Sequence, residues 1–106
     1  MPVPALTHEQ RVAASAKAVE IRTKRAQIKR RLKASEVTLR EVLAFAEIDD
    51  VVAGMKVISV LESLPGIGEI KAHAIMEKCN IALSRRLRGL GPHQLSAMCA
   101  IIDNRA

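Results

Sequence analysis

The chain has 106 residues, room for one small domain and not two, and 49% of them are hydrophobic, enough to bury a core and too many for a disordered segment. Phe45 is the single aromatic, so the core must be built from Leu, Ile, Val, Met and Ala. That composition suits packed helices and argues against a β-sandwich. The net charge of +6 is unevenly spread: +7 over residues 1–34, −4 over 35–63 and +3 over 64–106. Two electropositive regions flanking an acid-rich middle favour a polyanionic partner, chiefly through counterion release.

The opening MPVPALTHEQ has neither a basic leader nor a long apolar run, and no stretch is apolar enough to span a membrane. The expectation is a cytoplasmic protein with reduced thiols. Cys79 and Cys99 lack Cys-x-x-Cys spacing, and His8, His73 and His93 are scattered. Buried thiols and surface histidines are expected, with no metal site, no cofactor and no small-molecule substrate.

Pro2 and Pro4 make residues 1–6 an extended arm. Thr7 and Gln10 have capping-box spacing, and no Gly or Pro follows until after Lys33, so residues 7–34 form a long first helix. Ile21, Ile28 and Leu32 share a stripe on it, with Arg25 intruding. Further back that stripe holds only Ala14 and Ala18, so the N-terminal half is expected to project, and the long helix as a whole is a candidate for weak self-association. Arg22, Lys24, Arg25, Lys29, Arg30, Arg31 and Lys33 crowd the C-terminal half. Seven cations in residues 22–33 exceed what the helix dipole needs. Contact with phosphates is expected there, with Arg25, Lys29 and Lys33 as candidates.

Residues 35–106 read as a compact helical core, the rest of a single domain. Thr38 and Glu41 form a second capping box. Asp49 or Asp50 caps a short helix over Val51 and Val52 that ends at Gly54, and Lys56 to Leu64 is another apolar helix. The carboxylates Glu47, Asp49 and Asp50 fit a solvated turn with helix caps better than a catalytic pair.

A 23-residue repeat follows: Leu64-Pro65-Gly66-Ile67-Gly68 with a helix from Glu69, then Leu87-Arg88-Gly89-Leu90-Gly91 with a helix from Pro92. In each copy the glycines permit a tight turn, the apolar residue between them anchors it, and the second glycine sits at the helix start. Free amides and the positive end of the helix dipole make such a start an anion site. Gly66, Ile67, Gly68 and Lys71 form the first candidate site, and Gly89, Leu90 and Gly91 the second. Arg85, Arg86 and Arg88 open onto the second turn, facing outward around a buried Leu87. Arginine is suited to phosphate oxygens. The second turn is therefore expected to be the stronger contact. In the first, Glu69 would repel a phosphate.

The first turn resembles the helix–hairpin–helix motif of many DNA-binding proteins. The whole chain is similar to the actinobacterial integration host factor family. The resemblance rests on Leu6, Thr7, Glu9, Gln10 and Arg11, on Gly54-Met55-Lys56-Val57, on Leu64 to Gly68, and above all on Arg85 to Gly91. It implies an all-α body with a helix–two-turns–helix motif, nucleoid association, DNA compaction or bending, and effects on supercoiling and phage integration. It also implies that Arg85, Arg86 and Arg88 contact double-stranded DNA. The tail from His93 to Ala106 is less basic than the resemblance leads one to expect. A ribosomal RNA-binding protein of the same helical architecture is the alternative. A repair enzyme is disfavoured, because no catalytic Asp accompanies Lys71 or Lys78.

Overall fold

The computed structural model describes residues 7–104; the arm expected over residues 1–6 lies outside them. Six α-helices and one 3-10 turn follow in order: α1 His8–Lys33, α2 Leu39–Ala46, α3 Asp50–Ala53, α4 Val57–Glu62, α5 Glu69–Lys78, the 3-10 turn Leu87–Gly89 and α6 Pro92–Asp103. The fold is all-α, as composition and resemblance predict.

The two capping boxes set the starts of α1 and α2. Gln10 N–H donates to Thr7 Oγ1 at 3.1 Å while Gln10 Oε1 accepts from Thr7 N–H at 2.9 Å. Thr38 and Glu41 repeat the pattern at 3.1 and 3.0 Å. Asp49 begins α3, its Oδ1 accepting from both Val51 and Val52 N–H groups. The ends of α1 and α5 are Schellman turns without glycine: Ser35 and Asn80 take φ of 59° and 58°. Glu36 N–H returns to Arg31 O, and Ile81 N–H to Met76 O, both at 2.8 Å. The apolar helix expected over residues 56–64 stops at Glu62, because Ser63 and Leu64 turn back toward Val60 and Leu61.

Leu32, Val52, Met55, Val57, Val60, Leu61, Met76 and Met98 form the heart of one core. Cys79 and Cys99 are buried thiols whose pKa burial pushes up. α1 joins this core through only its C-terminal half: residues 7–20 are exposed throughout, and the first buried residue is Ile28. A 26-residue helix is about 39 Å long, so the N-terminal half stands off the body, and the molecule extends to 52 Å in its longest dimension. No helix among the described residues is long and apolar enough to cross a membrane.

Candidate nucleic-acid interface

Both copies of the repeat close with the same bond. Ile67 N–H donates to Leu64 O at 3.1 Å, and Leu90 N–H to Leu87 O at 3.2 Å. Leu64 and Leu87 are buried beneath their turns, and the second glycine of each copy caps the following helix. The turns differ in backbone shape. Gly66 has φ +77° at the position after Pro65, which makes the first a type II turn that requires glycine. The second turn is a 3-10 turn with no residue in the left-handed region.

The turns also differ in what their amides do. Gly68 has no capping side chain, and no atom outside its immediate chain neighbours lies within 4 Å of where its Cβ would stand. The first i→i−4 bond of α5 is Ala72 N–H to Gly68 O, so the amides of Glu69 and Ile70 face outward by helix geometry. Ile70 is 86% exposed beside them, and Lys71 reaches back to Gly66 O at 3.4 Å. At the second turn the amides of Gly89, Leu90 and Gly91 are taken. Gly89 N–H donates to Arg86 O and Gly91 N–H to Gln94 Oε1 at 3.1 Å, while Gln94 Nε2 donates to Asn80 O. The expectation that the second turn combines arginines with free amides at Gly89, Leu90 and Gly91 is therefore corrected. Gln94, three residues into the turn's helix, takes the Gly91 amide; its spacing from Gly91 is half of a capping box and was legible in the sequence.

What the second turn does carry is a registered set of cations. Val57 N–H donates to Arg85 O and Leu87 N–H to Met55 O, both at 3.0 Å, forming an antiparallel bridge between Lys56 and Arg86. In a two-residue period Met55, Val57 and Leu87 point into the core, and Lys56 and Arg86 point out together. The three arginines are exposed as expected, and two of them are tethered to the backbone. Arg85 Nη1 donates to Gly89 O at 3.0 Å, its stem lying where a Cβ on Gly89 would stand, and Arg86 Nη1 donates to Gly54 O at 2.5 Å. Arg88 Nη2 lies over Gly54, and there it meets Arg25 from α1, whose Nε donates to Val51 O at 3.1 Å.

Lys29 and Lys33 continue from Arg25 at four-residue steps along exposed α1. Lys24 does not join them; it pairs with Asp49 and lies 5.5 Å from the centre of the Phe45 ring. Phe45 is 39% exposed at this edge. The ion pairs among the described residues are Lys24–Asp49, Arg31–Glu36 and Arg40–Asp103. None neutralises Arg25, Lys56, Arg85, Arg86 or Arg88. Cations held this close together without carboxylates repel one another and favour an external anion. Lys56 and Gly54 belong to this group through pairing across roughly thirty residues of chain; Gly54-Met55-Lys56-Val57 carries part of the family resemblance, but its spacing gave neither residue a place in the site.

The chain matches the S13-like H2TH domain over residues 32–101. It is 48% identical over 98 residues to integration host factor of Streptomyces coelicolor, covering 92% of each chain. It is 48% identical over 103 residues to integration host factor of Mycolicibacterium smegmatis, covering 97% of this chain and 98% of that one. The protein of that name from Mycobacterium tuberculosis is 49% identical over 98 residues, covering 92% and 93%. A solved structure described as "Structure of sIHF bound to an 8bp palindromic DNA" superposes with a TM-score of 0.79 at 44% identity, over 81% of this chain and 97% of that one. With these relatives spanning nearly its whole length and an H2TH core at its centre, the chain belongs to the actinobacterial integration host factor family.

Proposed function

We propose that this protein is a nucleoid-associated architectural protein that binds duplex DNA through its phosphate backbone. The observation that carries the reading is the group of Lys56, Arg85, Arg86, Arg88 and Arg25, of which Arg25, Arg85 and Arg86 are tethered by backbone carbonyls and none is paired with a carboxylate among the described residues. The relative whose solved structure is described as holding an 8bp palindromic DNA supports duplex DNA over RNA as the partner. The open α5 start, with Gly66, Ile67, Gly68 and Lys71, provides a second contact, and Lys29 and Lys33 extend the first along α1. Gly89, Leu90 and Gly91 serve to place the arginines.

Backbone-tethered guanidiniums suit phosphates better than base edges, so sequence preference is weak and comes from DNA shape. With about four to six phosphates neutralised, log affinity falls against log salt with a slope of roughly −4 to −5. The projecting half of α1 gives the protein a lever along or between duplexes, in keeping with DNA bending or compaction and, through them, effects on supercoiling and phage integration. No chemical step is part of this reading.

A salt-titrated gel shift against duplex DNA, duplex RNA and single strands, with the Arg85→Ala/Arg86→Ala/Arg88→Ala variant alongside, tests it. The variant should stay folded and lose affinity on all duplex sequences. Undiminished affinity of the folded variant overturns the site, and equal or tighter binding to duplex RNA moves the reading to an RNA-binding protein.

A further inference from the structure

We propose that Arg25 and Arg88 hold a single phosphate group between them above Gly54, so that α1 and the second turn form one contact with nucleic acid and not two. The inference rests on the reading of the protein as a duplex-DNA binder.

The geometry is specific. The point where a Cβ on Gly54 would stand lies 2.6 Å from Arg25 Nη2 and 2.8 Å from Arg88 Nη2. The two nitrogens are thus within about 5.4 Å of each other, close enough to donate to different oxygens of one phosphate. Arg25 is held by its Nε at Val51 O, which leaves its Nη groups to a ligand. Arg86, fixed to Gly54 O, flanks the same place. Among the described residues no acidic side chain pairs with any of the three, so their mutual repulsion favours an external anion.

Gly54 is explained by this arrangement and by nothing in its own backbone. Its φ of −83° and ψ of −1° suit any residue. What glycine supplies is the space above it, which the two guanidiniums fill. An alanine would displace the ends of two flexible side chains and leave the helix end unstrained. The H2TH match begins at Leu32, so Arg25 is brought to the H2TH core by a helix lying almost wholly outside that match.

Gly54 is accordingly a positioning residue, and the shared phosphate can be counted. The salt dependence of duplex-DNA affinity is measured for wild type, Arg25→Ala, Arg88→Ala, the double variant and Gly54→Ala, with helicity followed by circular dichroism. One shared phosphate predicts that the double variant lowers the slope by about 0.9, against about 1.8 for two separate phosphates. Gly54→Ala should keep its fold and bind DNA roughly three- to tenfold more weakly, about as Arg25→Ala does. A loss of about 1.8 in the double variant overturns the sharing while the DNA-binding reading stands. Wild-type binding by folded Gly54→Ala or by the double variant overturns the subsite. Failure of the wild-type protein to bind duplex DNA overturns both readings. If Gly54→Ala proves unfolded, the slope of the double variant decides alone.

Discussion

Lys56 and Arg86 stand opposite each other across an antiparallel bridge, at a pair where the flanking residues exchange the hydrogen bonds and both side chains point outward. Like charges placed directly opposite on one face are destabilising in isolation. Their pairing is enforced from the other face, where Met55, Val57 and Leu87 are buried. The fold thus holds together two cations that would separate if free, which is the condition for a ready-made polyanion contact.

Lys56→Ala should weaken binding to every duplex DNA sequence by a similar factor and reduce the salt slope by about 0.9, as for a phosphate contact. The same substitution should leave thermal stability unchanged or slightly raised, because it relieves the repulsion with Arg86. Gel shifts at several salt concentrations, with a thermal melt of the free protein, check this. A sequence-selective loss of affinity would assign Lys56 to base reading.

The glycines of the first turn should separate by role. Gly66→Ala places a side chain at φ +77° and should cost roughly 1–2 kcal/mol of stability. Gly68→Val meets open space at a φ of −91° and should cost little stability. It should still weaken DNA binding, because its branched side chain covers the open start of α5. Urea denaturation and DNA titration of both variants decide the matter. A destabilised Gly68→Val with unaltered affinity would make this turn a structural corner only.

The Lys24–Asp49 pair should show itself in acid. The hydrogen bond from the Lys24 ammonium, followed by that from Val52 N–H, holds the Asp49 carboxyl below its usual value. A depressed carboxyl stabilises the fold above its ordinary pKa of about 3.9, and that contribution disappears as pH falls through the folded value. Asp49→Asn keeps a capping oxygen for Val51 and Val52 and removes the charge. Its thermal midpoint should lie below wild type at pH 7, with the gap closing below about pH 4. An equal gap at pH 7 and pH 3 would show that the charge on Asp49 does not anchor α1 to α3.

The sequence by itself determined what depends on neighbours along the chain. Thr7 and Thr38 start their helices because a capping box needs only a partner three residues away. The 23-residue repeat gives two turns closed by equivalent bonds, because an i-to-i+3 turn is local. The stripe on α1 located both the docked half and the projecting half. Tertiary structure decided which groups meet. Arg25 reads in sequence as an intruder on an apolar stripe; in the fold it joins Arg88, from 63 positions away, over a glycine that no turn requires. Lys56 became part of the candidate site through a bridge to Arg86, and the amides of Gly89, Leu90 and Gly91 were taken by the turn itself and by Gln94. Periodicity shows which face of a helix is buried, but not which other face it will be buried against. That choice is made by the packing of Met55, Val57 and Leu87 into the core, and the cations follow their backbone to where it leads.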